Sequence, residues 1–487
     1  HSCQLKKKVY VFQYEGIDKY HHLWKGDLIM PTPQIVHLLE ELFECIHPER
    51  IDDIAKETGF IVRKRSICAS DFLAMLFQFH GNVAECSLQE LCVKLYTEQE
   101  ISVSRTAIDK KFSKEAVLFL QRLVQELMLQ QRQMQFPSLS LAESWPFVAM
   151  RIMDATNVSV PDHLKKRAAP TRQTSGKIQH EYDFLTGQTL FSSIDFRKVN
   201  DTKMGAKRIP YLEEQELCMQ DLGYFSFQQF EEMKEYKGFF LSKLRNDAYL
   251  AFKNPYPSYH PNGKVIESSQ YQRIDLVALC EQMEPGECLE LEGVHFGRDA
   301  HFPARCIIFA HDEAVKERRI KKIDRRATKS GKQPKQVVRK LARITVYMTN
   351  LPDSVSAEQV VDLYRLRWQI ELQFRVWKDY LDMDHFKVMK RERWLCHLYA
   401  SLLVVMISQL IAHQLRNMIW EEEKMEISEM VAVRTIATEG LAILYEIYRR
   451  KKKSLKDYLL GMTRLLIKTA RKPNSRKGTA FQRLLYA

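Results

Sequence analysis

What the chain does not have narrows it first. Ten cysteines are scattered through 487 residues without one C-x-x-C pair. That excludes a zinc ribbon or a dithiol redox motif and fits buried thiols in a reducing compartment. No secretory leader is expected: Lys6 to Lys8 precede only the apolar stretch 9–12 before Gln13. Position 1 is His rather than Met, so the chain is expected to be trimmed or part of a longer reading frame. The longest uninterrupted apolar run, Leu402–Ile407, falls far short of the ~20 residues a spanning helix needs. A soluble, cytoplasmic protein without a membrane partner is expected. No internal repeat is evident. Hydrophobic residues make 45% and aromatics 10%. This is enough for a sizeable core and excludes a disordered, collagen-like or small disulfide-stapled chain.

Charge is present in excess, and it is segregated. There are 74 Lys plus Arg against 61 Asp plus Glu, a net charge of +13. Residues 316–343 carry 13 basic and 2 acidic groups, and residues 449–487 carry 13 and 1. The other 420 residues hold 48 basic and 58 acidic groups. Two basic patches on a slightly acidic protein favour a polyanionic partner, nucleic acid or acidic membrane.

Residues 1–140 read as helices. Pro33 opens one, Ser70 is placed to cap a second, and Val117 to Met128 carry a third amphipathic stripe. Within 87–112 two short helices flank a break at Thr97–Ser102. The second is led by Ser104 and Arg105 and carries Lys110 and Lys111. The pattern suits a helix-turn-helix, and equally an ordinary αα-hairpin. From Pro146 a mixed α/β pattern begins. Strands are expected over 147–154, 178–184, 190–196, 216–221 and 238–244, with a hairpin turn at Thr186-Gly187 and a helix over 227–235. Short strands and the first basic patch occupy 246–345. Arg325 and the residues after it read as an exposed loop. From Val355 the reading is helical again.

The richest segment is Tyr364–Lys378. On one continuous helix, Tyr364, Arg367, Glu371 and Lys378 share an arc of about 60°, with Trp368 beside them, while Leu363, Leu366, Ile370, Phe374 and Trp377 form the core stripe. The polar arc suits a solvated face with an Arg367–Glu371 pair, and it suits a phosphate track. Asp154 and Asp221 each close an apolar strand, where open α/β sheets gather ligands. Each also suits a loop acid or helix cap. Three carboxylates on two strands and one helix can hold two Mg2+ roughly 4 Å apart.

The spacing Tyr364, Arg367, Glu371, Lys378 resembles the signature of the insertion sequence 4 family of bacterial DDE transposases. Asp154 in Met-Asp-Ala-Thr and Asp221 in Asp-Leu-Gly-Tyr-Phe-Ser resemble that family's first and second catalytic acids. The resemblance covers about residues 60–420. It implies an α/β fold with a ribonuclease H-like catalytic core, interrupted by a β-rich insertion and flanked by helical N- and C-terminal domains. The implied organisation is a DNA-binding region over 1–140, core halves over 141–245 and 346–420, an insertion over 246–345, and a basic helical region over 421–487.

The resemblance also implies catalytic, metal-binding Asp154, Asp221 and Glu371, with two Mg2+ ions for which Mn2+ can substitute. It implies phosphate contacts by Tyr364, Arg367 and Lys378, with Lys243 and nearby Arg245 as the match for a further basic residue. A base-stacking aromatic is implied in the insertion, which holds no tryptophan; Phe296, Phe302, His301 or Trp368 are the candidates, and the three in the insertion equally suit core positions. The implied reaction is cut-and-paste transposition through a hairpin at the element end. The implied partners are terminal inverted repeats, target DNA and a second copy of the chain, in the bacterial nucleoid; Leu441, Leu444, Ile447 and Tyr448 suit that dimer interface and equally suit core positions. Two other readings stand: a catalytically inactive, domesticated DNA-binding protein, and a structure-specific nuclease on the same core.

Overall fold

The computed structural model describes residues 31–63, 66–78, 85–139, 145–161, 164, 175–196, 200–245, 248–331, 333–334, 336–381, 383, 387–440, 454–473, 479 and 481–482. The expected interface residues Leu441, Leu444, Ile447 and Tyr448, the basic run at 449–453, Lys6 to Lys8 and Trp24 lie outside them.

Six helices come first. Thr32 accepts the Ile35 N–H and Pro33 fills the first turn of α1 (Pro33–Phe43). Then follow α2 (Pro48–Glu57), α3 (Ala69–Gln78), α4 (Leu88–Gln99), α5 (Arg105–Lys111) and α6 (Lys114–Gln133). Ser70 does not cap α3; it is buried inside the first turn, and the Asp71 carboxylate takes the Cys68 N–H at 3.0 Å. A carboxylate is the stronger acceptor for that orphan donor. Ser87 and Glu90 form a capping box on α4, and Ser104 caps α5. α6 buries Val117, Leu120, Val124 and Leu127, as its periodicity requires.

The chain then enters a sheet. β1 (Ala149–Ser159), β2 (Ser175–Asp183) and β3 (Thr189–Asp195) run as an antiparallel meander. β4 (Glu216–Gln220) pairs parallel to β1, and β5 (Phe239–Lys243) parallel to β4, with the helix Phe227–Glu235 between them. Seven further strands follow: β6 (Leu250–Lys253), β7 (Tyr271–Arg273), β8 (Cys288–Leu291), β9 (Val294–Phe296), β10 (Phe302–Pro303), β11 (Arg305–Ala310) and β12 (Ile344–Thr349). The eight-stranded sheet has the order β3-β2-β1-β4-β5-β12-β11-β8; a four-stranded sheet has the order β10-β9-β6-β7. The β-rich residues 246–345 therefore supply the small sheet and also extend the large one. The fold is a large mixed sheet with helical flanks.

The stretch after Arg325 is not a loop. A helix runs over Glu313–Ser330, capped by Asp312 and stopped by Gly331 at φ 67°. Only at Gly331 does the sequence supply the left-handed residue that ends a helix.

The helix Arg391–Glu423 is long and apolar enough to cross a membrane by length and composition, but 89% of its apolar window is buried inside the protein. Its polar residues seat the β2–β3 turn. Gln409 donates to the Gly187 carbonyl at 3.0 Å, Gln414 to Thr186 at 2.8 Å and Asn417 to Leu185 at 2.7 Å. Arg416 donates to Phe184 at 2.8 Å and pairs with Glu429 at 2.6 Å. Buried polar groups of this kind are affordable only when partnered. The C-terminal helix Leu455–Thr469 buries Leu455, Tyr458, Leu459 and Leu466.

Candidate active site

The register of the sheet sets up the site. Met153 of β1 pairs with Gln220 of β4, and Gln220 with Ser242 of β5. One residue further along lie Asp154, Asp221 and Lys243, and Lys243 pairs with Tyr347 of β12. These four side chains form one row across four strands. Neighbouring strands lie about 4.8 Å apart, and residues in register point to the same face. Asp221 stands immediately after β4, one residue beyond its expected place as the strand's last residue, and leads into a short turn over Leu222–Tyr224. Asp154 does not end its strand. β1 runs on to Ser159 because β2 still pairs with it there, Ala155 opposite Gln179 and Ser159 opposite Ser175. Only the pairing with β4 stops at Met153.

Glu371 comes from the other side, on a helix. The expected continuous helix is two, Ala357–Leu366 and Gln369–Asp379, joined at Arg367-Trp368. The junction is tightened: Arg367, Trp368 and Glu371 donate their N–H groups three residues back, to Tyr364, Arg365 and Trp368. Such a turn advances each side chain further than the ideal helix does. Arg367 is thereby buried, 8% exposed, while Trp368 stands out at 53%. Ile370, Phe374, Val376 and Trp377 anchor the second helix in the core. Trp377 packs edge-on against His180 of β2 at 4.9 Å.

Arg367 ties the acids together. Its guanidinium donates to Glu371 Oε1 at 2.5 Å and to Asp154 Oδ2 at 3.3 Å. Tyr364 donates its hydroxyl to the Gln220 carbonyl at 3.4 Å, next to Asp221. Burial pushes the Asp154 carboxyl up; the Ala155 N–H and Arg367 oppose this, and the charge of Asp221 adds to it. Burial likewise raises Glu371 against the pull of Arg367. Lys243 is lowered to about 8, by burial first and then by Arg319, with Arg367 and Lys322 contributing and Asp221 opposing. A lysine surrounded by cations in a half-buried place is poised for an anion.

The donor chemistry fits a hard divalent cation. All three acids are carboxylates, and Glu371 Oε2 is buried with no hydrogen-bond partner. Among the described residues, though, no three His, Cys, Asp or Glu side chains stand close enough together to hold an ion. Arg367 occupies the space between two of the acids.

Beneath the row lies a buried charge network absent from the sequence reading. Glu181 of β2 pairs with Arg151 of β1 at 2.8 Å and with Arg208. Arg208 also donates to the side chain of Gln220, one residue before Asp221. Burial raises the Glu181 carboxyl, but the two guanidinium groups overcome it and hold it at about 2. Arg208 thus locks the end of β4. No spacing rule marks it, because its partners are 27 and 12 residues away.

Other expected residues are distributed less favourably. Lys378 sits two turns beyond Glu371 on the same helix, partly exposed, and Arg245 is exposed just past β5. Phe296 and Phe302 are core residues, 0% and 6% exposed, and offer no face to a base. Phe302 packs among Phe227, Phe230 and Phe240. His301 is partly exposed and stacks on Tyr271 at 3.6 Å. In α5, Arg105 and Lys110 are exposed, whereas Lys111 points inward, donating to the Ile67 carbonyl at 3.0 Å. Ser104 spends its hydroxyl on the helix cap. A cavity of about 690 Å³ opens beside α5, lined in part by Arg63, Thr106 and Lys110.

The chain belongs to a family of DDE transposases: the family model described as transposase DDE domain matches residues 149–407. Among individual proteins, it is similar to the transposase for insertion sequence element IS231F of Bacillus thuringiensis subsp. israelensis. The two are 32% identical over 413 residues, 84% of this chain and 86% of the relative. The transposase for element IS231C of Bacillus thuringiensis subsp. berliner is 32% identical over 439 residues, 89% of this chain and 91% of the relative. The transposase for element IS1151 of Clostridium perfringens is 28% identical over 468 residues, 92% of this chain and 96% of the relative.

Proposed function

We propose that this protein is a cut-and-paste transposase of the insertion sequence 4 family, with a ribonuclease H-like core and the signature Tyr364, Arg367, Glu371, Lys378. The observation that carries the reading is the meeting of Asp154 and Asp221, in register on neighbouring strands, with Glu371 through the single guanidinium of Arg367. The order β3-β2-β1-β4-β5, antiparallel as far as β1 and parallel beyond it, supports the core assignment. The substrates are duplex DNA ends with terminal inverted repeats and then target DNA. The chain acts as a homodimer and passes through a hairpin at the element end.

Asp154, Asp221 and Glu371 would hold two Mg2+, or Mn2+ in their place. Bound there, the ions supply activation of a water or 3′-hydroxyl and stabilisation of the leaving oxygen. The rest falls to the chain. Arg367 bridges Asp154 and Glu371, and it must release one of them for the trio to close. Once released, its planar fork matches phosphate oxygens. Tyr364, Lys378, Lys243 and Arg245 add a hydroxyl donor and point charges along the same phosphate path. Trp368 offers its exposed face to a displaced base. Arg105 and Lys110 of α5 contact DNA at a distance from the chemistry.

The test is cleavage of terminal-repeat DNA in Mg2+, with DNA binding measured alongside. Asp221→Ala is expected to keep binding and to lose cleavage by a factor of 1,000 or more, on the order of 4 kcal/mol. If Asp221→Ala still cuts, the site assignment is wrong. Wild-type cleavage without strand joining would make the protein a nuclease instead, and binding without cleavage a regulator.

A further inference from the structure

The helix Glu313–Ser330 is the most basic element in the described structure, and its charges are sorted by side. At 100° per residue, Lys322, Arg326 and Lys329 fall on one stripe about 60° wide. Arg318, Lys321 and Arg325 continue the same exposed face, while Glu313, Glu317 and Asp324 line up roughly opposite. A merely solvated helix mixes the two signs. Lys316 is neutralised by Glu313 at 2.8 Å, and Asp324 by Arg339 at 2.7 Å. Lys322, Arg326 and Lys329 are exposed and form no ion pair among the described residues.

One end of the stripe is fixed beside the acid row. Arg319, adjoining it on the helix, donates to the Ile344 carbonyl at 2.9 Å and to Thr345 Oγ1 at 2.8 Å, both on β12. Thr345 lies two residues from Tyr347, on the same face, and Tyr347 is paired with Lys243. The charges of Arg319 and Lys322 are both felt at Lys243. From there the stripe leads away: Lys322 to Lys329 spans about 10 Å of helix. That is the rise of about three base pairs of duplex.

We propose that the helix Glu313–Ser330 is a strand guide, whose Lys322–Arg326–Lys329 stripe grips successive phosphates of the DNA leaving the acid row, Lys322 nearest the cleaved phosphate. The inference rests on the transposase reading. It adds a path and a polarity to it. Arg319 is the anchor, with its donors occupied by β12. The exposed stripe residues do the gripping.

The experiment uses the full chain and a duplex carrying the terminal repeat of its own element. The apparent binding constant is measured against salt for the wild type and for Lys322→Gln/Arg326→Gln/Lys329→Gln. A control of equal charge change, Lys56→Gln/Lys237→Gln/Lys424→Gln, alters exposed lysines that face carboxylates elsewhere. Three lost phosphate contacts are expected to flatten the log–log salt slope by about 2.7, with the control slope unchanged. A stripe variant with the wild-type slope, or a control that flattens equally, overturns the proposal. Duplexes shortened stepwise from each side of the cut then test polarity. In one series the effect of Lys329→Gln must vanish about three base pairs before that of Lys322→Gln; loss in the reverse order overturns the guide. The charge-keeping variant Lys322→Arg/Lys329→Arg should retain the wild-type slope. Wild-type cleavage in Mg2+ tests the transposase reading separately, since the slope comparison needs binding alone.

Discussion

Lys243 shows how much one residue's surroundings matter. Its carbon stem is half-buried at the end of β5, and Arg319, Arg367 and Lys322 crowd its ammonium. A group lowered from the usual lysine range to about 8 gives up its proton as pH rises through that value. A phosphate beside it would restore the proton, so DNA binding should take one up above pH 8. Affinity is therefore expected to be level below pH ~8 and to fall up to tenfold per pH unit above it. Lys243→Arg keeps its charge and should flatten the alkaline limb. Identical limbs for both proteins, measured by duplex binding from pH 6.5 to 9.5, would remove Lys243 from the contact. At this scale the sequence pointed to Asp154, Asp221, Glu371, Tyr364 and Arg367. It left Phe296 and Phe302 open between base contact and core, and it placed Lys111 outward, because an aromatic or a lysine looks the same in a sequence whether its side chain faces inward or outward.

Among elements, the β2–β3 hairpin depends on a helix more than 200 residues later. Gly187 takes φ 84°, and a Cβ there would lie 2.5 Å from the Cβ of His413. The turn can close against the helix Arg391–Glu423 only with hydrogen at that position. Gly187→Ala combines a left-handed backbone with overpacking, and roughly 2–4 kcal/mol of destabilisation is expected. Denaturant unfolding should show it as a lower midpoint at constant slope. The hairpin itself was legible, since turn residues between two alternating runs signal it locally. The long helix was legible as helical, but its apolar run appears short because Ser401 and Ser408 bound it and Gln409, His413 and Gln414 follow. These residues are buried, and Gln409 and Gln414 donate to carbonyls of the hairpin, a role that no local pattern encodes.

At the scale of the whole molecule, acid sensitivity is built in. His180 and His413 are fully buried, and burial lowers both to about 4; Gln409 opposes this at His180, while Arg416 deepens it and Glu429 opposes it at His413. Both stay neutral in the folded protein at pH values where an unfolded histidine, near 6.5, takes a proton. Stability is therefore expected to be level above pH ~6.5 and to decline as pH falls from there toward 4, with up to two protons taken up on unfolding by this pair and a third by His311, which burial first and then Arg319 also lower to about 4. Thermal midpoints from pH 8 to 4 would show it. A midpoint unchanged down to pH 4.5 would place the histidines in water.

The sequence by itself determined the early helices, the hairpin and the central strands, the segregation of charge, and the spacing of Tyr364, Arg367, Glu371 and Lys378. Each of these follows from local periodicity or from a spacing within one segment. Only the tertiary structure decided that Asp154, Asp221, Lys243 and Tyr347 form one row, because strand register is set by pairing between distant segments. It also decided that Arg367 sits between two acids, since the helix breaks at the junction and turns that side chain inward. The basic run of 316–343 has the same composition as a mobile loop. Asp312 and Gly331 make most of it a helix, Arg319 binds it to β12, and the positive charge thereby comes to lie beside the acids.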